Sequence, residues 1–519
     1  MKKNIMHIIL IAILLIFHSS LAFSDSENKT GQIENISVLT NPSVKPGEIE
    51  IDSVKYEYES ISGGLELLQE DPAEGNIEIF YVAYFKKEKL KKTNRPITFI
   101  YNGGPGSASI WLHMGALGPK RVVTRKPKEK QVSPYTLIDN KYSLLDVSDL
   151  VFIDAPSTGY STFFSAAETY QERTEQKMTM ASSVFGINGD TKVFNKFIMQ
   201  FLTEYKRWSS PKYLFGESYG TTRSVMLADE LKNNNVDLSG IILVSPFLNY
   251  SNNSDNPEVN PGYDLPYILA LPTYTASAWY HKKIPNSQEE LSKLLEESEM
   301  FSTSGYAQAL IAGSKLSDEQ RDIIANRLYQ LTGISAEQWI RNNLRLNGPT
   351  FAAKLLEKNN QTIGRIDSRY EGSSLESLAK VAQYDPSVTV ISSPYLAAFH
   401  DYASSHLGLN YNKEYKVFSD IIEYWNMSTN DRNRSFNVLP NLANIIKYSP
   451  DMKVLIISGV YDLATPYFSA KYDIEHLSLS VKERSQIRFE RYETGHMPYI
   501  DETTLKKMHN DLKSFYKNN

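Results

Sequence analysis

Residues 212–220 read Lys-Tyr-Leu-Phe-Gly-Glu-Ser-Tyr-Gly, and no other stretch limits the fold of this chain so strongly. Tyr213, Leu214 and Phe215 make a short apolar run that reads as a buried strand, and residues 221–232 beyond it are helix-capable. Between them stands Gly-x-Ser-x-Gly, the layout of a nucleophile elbow, where a sharp strand-to-helix turn lifts one hydroxyl clear of a sheet. A Cβ at Gly216 or Gly220 would crowd the backbone of so tight a turn. The hydroxyl is that of Ser218. A serine presented in this way needs a base and an acid, expected later in the chain, acid first and histidine last.

The rest of the pattern supplies a sheet for that elbow. Residues 97–101, 150–153, 213–215, 241–244 and 454–457 are short, nearly unbroken apolar runs. Runs without alternation predict strands covered on both faces, hence a parallel sheet. Residues 54–58 and 77–85 suit an antiparallel edge. Helix-capable segments such as 190–208 lie between strands, which makes an α/β pattern. From 249 to about 448 strand-like runs are scarce, while 287–299, 318–330 and 336–343 are rich in helix formers. A structureless loop of that length is excluded. The expected organisation is a sheet core over 44–249, a mainly helical cap inserted over 250–448, and a second part of the core over 449–519.

The acid candidate is Asp462, just past the run 454–457, because a residue at the carboxyl end of a parallel strand faces the ligand crevice. A cap on the turn Leu463-Ala464-Thr465-Pro466 is its competing role. Asp154 also ends a strand, but it precedes Ser218. The base candidate is His496, in Gly495-His496 after the strand-like run 487–492. Seven of the nine histidines follow residue 24; of these His281, beside Lys282 and Lys283, and His509, on a charged terminal helix, read as solvated. His496 would take the Ser218 proton, and Asp462 would hold the imidazole tautomer. Tyr101-Asn102-Gly103-Gly104-Pro105-Gly106 follows another strand. The N–H of Gly104, with that of Tyr219, suits an oxyanion; a phosphate loop is the weaker reading, since Pro105 removes a donor and no Lys-Ser/Thr follows. Glu217, facing Asn102, could share a proton with a second carboxyl group such as the free C-terminus of a peptide, or pair with a cation.

Composition narrows the setting. The chain has 519 residues, 41% hydrophobic, with a formal net charge of −5. A dedicated nucleic-acid or anionic-membrane surface is not indicated. With no cysteine, thiol catalysis, thiolate metal sites, disulfides and a lipoprotein anchor are ruled out. No cofactor or metal cluster is visible. Lys2 and Lys3, the apolar run 8–17 and the small residues Ser20, Ala22 and Ser24 read as a secretory signal over 1–24, too short to span a bilayer. An uncleaved anchor is the alternative. A loose segment over 25–43 follows, with no later run long enough to cross a membrane. Export to periplasm or medium is expected, and oligomeric state is open.

At these residues the chain resembles the serine carboxypeptidase family, of the carboxypeptidase Y and cathepsin A type. The matching pieces are Asn102-Gly103-Gly104-Pro105-Gly106, Val151-Phe152-Ile153-Asp154 with Gly159-Tyr160-Ser161, Gly216-Glu217-Ser218-Tyr219-Gly220, Tyr461-Asp462 and Gly495-His496. Leu112-His113-Met114 and the run Gly-Arg-Ile-Asp-Ser-Arg-Tyr over 364–370 look like the bacterial branch. The resemblance implies an α/β-hydrolase fold with a cap and release of C-terminal residues from peptides or proteins, often best at acidic pH. It implies Ser218, Asp462 and His496 as triad, Gly104 and Tyr219 as oxyanion donors, and Asn102 and Glu217 on the substrate carboxylate. Departures from the pattern are Tyr101 for Trp, Ser107 for Cys, Ala116 for Glu, and Ala155-Pro156-Ser157-Thr158 for Pro-Val-Gly-Thr. An esterase or acyltransferase on the same scaffold is the alternative activity, and a silent binding module the remote one.

Overall fold

The apolar runs become the strands of one twisted sheet. A computed structural model of the chain describes residues 41–517 apart from 68–75, 88–94, 125, 130–131, 165–168, 170, 173–174, 176–178, 180–182, 286, 410, 412, 422–424 and 428–435. The leader expected over 1–24, and all but the end of the loose segment expected over 25–43, lie outside the described residues. The strands are β1 (Ser43–Ile51), β2 (Val54–Leu67), β3 (Asn76–Lys86), β4 (Ile97–Tyr101), β5 (Asp149–Ile153), β6 (Thr162–Phe164), β7 (Lys212–Glu217), β8 (Gly240–Val244), β9 (Lys453–Gly459) and β10 (Ile487–Tyr492). Their order is β1-β2-β3-β5-β4-β7-β8-β9-β10, with β6 paired to β3. From β5 to β10 every neighbour is parallel, and β1, β2 and β3 form the antiparallel edge.

The parallel strands alternate their side chains between two buried layers, which is why their sequences show no polar face. Phe99, Val151, Leu214, Ile241 and Val454 pack against the helices Ile187–Glu204, Tyr219–Asn233 and Leu439–Tyr448. Ile100, Phe152, Phe215, Ile242 and Leu455 pack against Pro386–Ser405 and Glu502–Lys517. The chain between β8 and β9 therefore divides by what it covers. Its helices Leu265–Tyr280, Leu291–Phe301 and Asp318–Thr332 build a separate core around Tyr274, Leu328, Trp339 and Phe351. Its last two helices, Pro386–Ser405 and Leu439–Tyr448, return to the two faces of the sheet.

Two histidines expected to be solvated are buried. His509 is 2% exposed, because it stands beside Met508 on the inner side of the amphipathic helix Glu502–Lys517 with Leu505 and Leu512. The His281 side chain is 2% exposed, and its Nε2–H donates to the Ser368 carbonyl at 2.7 Å. A charged neighbour in sequence says little about a side chain placed at a helix end against another segment.

Candidate active site

Ser218 sits where β7 turns into the helix Tyr219–Asn233, with φ 59° and ψ −128°. A non-glycine residue in that region carries backbone strain. The turn is held by the Ser218 N–H on Val244 O at 2.9 Å and by Thr221, whose N–H and Oγ1 reach Ser218 O at 2.9 and 2.7 Å. A Cβ on Gly216 would come within 2.2 Å of Gly220 O. The two glycines are thus required by their approach to each other. Ser218 itself is half-buried.

The loop after β9 carries Asp462, which is fully buried. Its two oxygens divide the work. Oδ1 accepts from Ala464 N and Thr465 N, both at 2.9 Å, which is the turn cap. Oδ2 accepts from Thr465 Oγ1 at 2.6 Å and lies 2.7 Å from His496 Nδ1. The capping role and the imidazole-holding role, alternatives in the sequence, coexist on one carboxylate. A proton on Nδ1 in this bond leaves the lone pair of Nε2 free. Burial works to lower the His496 pKa, but the Asp462 charge and hydrogen bond, with Glu217 adding to them, raise it overall.

His496 is tied to the same corner as Ser218. Ser245, next after β8, donates its Oγ to His496 O at 2.6 Å, and β8 ends beside Glu217 in register. Among the described residues no hydrogen bond joins the Ser218 hydroxyl to His496. The structure brings Asp462 and His496 together, and the strand that ends at Glu217, next before Ser218, lies beside the one that leads to Ser245.

Beyond β4, Asn102 is buried and donates Nδ2–H to Glu217 Oε1 at 2.8 Å, while its Oδ1 accepts from Leu112 N at 3.1 Å. Burial pushes the Glu217 carboxyl up to about 7, against the opposing pull of His496 and of donors from Tyr499 and Asn102. Its Oε2 is buried without a hydrogen-bond partner of good geometry. Gly103 packs on the elbow: a Cβ there would stand 2.5 Å from Tyr219 N. Gly104 adopts φ +104°, open to glycine without strain. Neither the Gly104 nor the Tyr219 N–H donates to another residue among the described residues. Tyr219 stands in the first helical turn, where N–H groups have no intrahelical acceptor.

Sequence reasoning missed the supports that Arg223 and Thr465 supply, and it gave the strand-end Asp154 no supporting role. Arg223, one turn into the elbow helix, donates to Asn102 O at 2.7 Å and forks onto Asp190 at 2.7 and 3.1 Å, tying the glycine loop to the helix. Thr465 braces Asp462. Asp154 serves as a buried acceptor for Ser109 N at 2.8 Å and Tyr415 Oη at 3.0 Å. Only the spacing of Arg223 from Ser218 hinted at a role, and that spacing is common in helices. Away from the site, Asp52, Asp146 and His509 lie close enough to share a cation, but the Lys513 ammonium is already 2.7 Å from Asp146 and 2.5 Å from Asp52.

A mostly parallel sheet flanked by helices, with an elbow hydroxyl after one strand and acid and base after later ones, defines an α/β-hydrolase. The same fold is found in Kex1(delta)p, a prohormone-processing carboxypeptidase from Saccharomyces cerevisiae, with a TM-score of 0.55 at 17% identity over 88% of this chain and 91% of that one. A family model for serine carboxypeptidases matches residues 62–508. The chain belongs to the serine carboxypeptidase family and is a serine-type peptide hydrolase. Serine carboxypeptidase-like 33 of Arabidopsis thaliana is 21% identical over 436 residues, covering 81% of this chain and 77% of that protein.

Proposed function

We propose that this is an exported carboxypeptidase of the bacterial branch of its family, working through a Ser218 acyl-enzyme. Ser218 Oγ attacks the scissile carbonyl carbon as its proton passes to His496 Nε2. The imidazolium returns that proton to the departing amine of the C-terminal amino acid. Water then attacks the ester carbon, giving a proton to His496, which passes it to Ser218 Oγ as the ester C–O bond breaks and the shortened peptide leaves. Asp462 holds the Nδ1–H tautomer throughout. The Gly104 and Tyr219 N–H groups receive the developing oxyanion, an interaction for which losing one donor costs about 3 kcal/mol. Asn102 and protonated Glu217 hold the substrate carboxylate, so binding weakens as pH rises and the enzyme favours acid. The leader-like run 8–17 supports export, and Leu112-His113-Met114 with 364–370 supports the bacterial branch.

The observation that carries this reading is the 2.7 Å Asp462–His496 bond. Its test is a mixed peptide library digested by the purified enzyme, with mass spectrometry reading which end is trimmed. Loss of residues from free C-termini only, abolished in Ser218→Ala together with labelling by a fluorophosphonate, is expected. Equal cleavage of C-terminally amidated peptides or esters would favour the esterase alternative, and labelling that survives in Ser218→Ala would remove Ser218 from the mechanism.

A further inference from the structure

The loops carrying Asp462 and His496 leave the sheet side by side. Val460 N reaches Tyr492 O at 3.0 Å and Tyr461 N reaches Thr494 O at 2.9 Å. Beyond that point Ser245 of the core holds both loops, through His496 O and Thr465 Oγ1, and the inserted segment adds a second set of bonds. Residues 364–370 form a closed turn, with Gly364 N on Tyr370 O at 2.9 Å and Tyr370 N on Asp367 O at 3.1 Å. The turn grips the acid loop from both sides: Leu463 N donates to Arg365 O and Ser368 N donates to Tyr461 O, each at 3.0 Å. It also grips the base loop, since the backbone N–H of His496 itself donates to Ile366 O at 2.8 Å.

Arg369 closes the arrangement. Its guanidinium forks onto Asp367, Nε on Oδ1 at 2.9 Å and Nη2 on Oδ2 at 2.6 Å. The remaining donors cross to the base loop, Nη1 to Glu493 O and Nη2 to Thr494 Oγ1, both at 3.1 Å. Asp367 is fully buried and Arg369 is 8% exposed. Gly495 lets the two segments meet, for a Cβ there would stand 2.5 Å from the Cβ of Asp367. A lysine in place of Arg369 could not satisfy a carboxylate, a carbonyl and a hydroxyl at once, because it lacks the planar fork.

We propose that residues 364–370 are a strap by which the helical insertion sets the His496 imidazole against Ser218, with Arg369 as its positioning residue. This rests on the triad reading above. Misplacing a general base by about 1 Å costs roughly 100-fold in rate while leaving binding intact. Arg369→Ala is therefore expected to lower kcat about 10- to 100-fold with KM within about twofold, and to slow fluorophosphonate labelling by the same factor. Arg369 borders a surface cavity with Lys126, Thr136 and Ile500, so guanidinium ion added from solution should restore part of the lost kcat. Arg369→Lys, which keeps the buried charge and spares the fold, should show the same kcat loss without rescue. Unchanged kcat in both variants, or a loss borne by KM alone, overturns the strap. So does an Arg369→Ala loss that guanidinium leaves untouched while Arg369→Lys stays fully active. Ser218→Ala on the otherwise wild-type chain serves as the separate control: labelling that survives in it means the triad reading itself has failed, whatever happens at Arg369.

Discussion

At the scale of single residues, the charges of Glu217 and His496 act on each other across the candidate site. Glu217 is pushed up to about 7 by burial, and its charge is among the influences that raise the pKa of His496. In the proposed mechanism activity needs Glu217 protonated, to hold a substrate carboxylate, and His496 neutral, to act as base. Protonating Glu217 removes a negative charge that keeps the proton on His496, so the productive state is favoured by its own chemistry. Glu217→Gln donates an amide N–H at any pH and lacks that charge. In this variant kcat/KM should hold to higher pH on the alkaline side and also persist to lower pH on the acid side, where the imidazole titrates. A profile of kcat/KM from pH 4 to 9 measures both limbs, and one that narrows or stays put contradicts the assignment. The triad candidates were legible because chain order ties acid and base to the elbow. Thr465 and Arg223 were not, since a threonine in a turn and an arginine in a helix carry no pattern until the fold places them.

At the scale of elements, legibility followed burial. Strands β4, β5, β7, β8 and β9 are covered on both faces and announce themselves as apolar runs. Strand β1 falls almost wholly within the expected core, but its sequence does not mark it as a strand. Lys45, Pro46, Glu48 and Glu50 carry no β signal, and the strand exists because β2 pairs with it along its whole length. The helix Pro386–Ser405 was missed for a related reason. Val388, Thr389, Val390 and Ile391 are β-branched and Pro394 interrupts its hydrogen bonds; tertiary packing of Ile391, Tyr395 and Phe399 on the sheet outweighs that local penalty. A helix of such weak propensity depends on its start. Asp385 caps it, Oδ1 accepting from Ser387 N at 2.9 Å, while Oδ2 accepts from Ile366 N in the strap at 2.8 Å. Asp385→Ala should cost about 1–2 kcal/mol from the cap alone, with the orphaned Ile366 N–H adding to it. Urea unfolding measures this, and a loss below about 0.5 kcal/mol would mean the helix start is held by packing instead.

At the scale of the whole molecule, the two ends of the parallel sheet do different work. Every residue of the candidate site lies at or beyond a carboxyl end: Asn102 after β4, Ser218 after β7, Asp462 after β9, His496 after β10. The amino ends hold a buried charge cluster instead. Asp149 opens β5, and its oxygens take Arg95 Nε at 2.8 Å and Arg207 Nη1 at 2.5 Å. Arg207 also donates to Arg95 O at 2.7 Å, and Arg95 to Ser148 O at 2.8 Å. The chain entering β4, β5 and β7 is thereby fastened at one point. Asp149 is 2% exposed and Arg207 fully buried. Replacing the carboxylate by an amide of the same shape removes the negative charge that faces both guanidinium groups in low dielectric, a loss worth about 3–5 kcal/mol for a buried pair broken on one side. The opposite end of the sheet should not feel it while the protein stays folded. Asp149→Asn is therefore expected to lower the unfolding free energy, measured by urea titration, by that amount and to leave kcat and KM at 25 °C within about twofold of wild type. A destabilisation under about 1 kcal/mol would show that water reaches the arginines. A changed KM with the fold intact would show instead that the amino ends of the strands help set the geometry of the site.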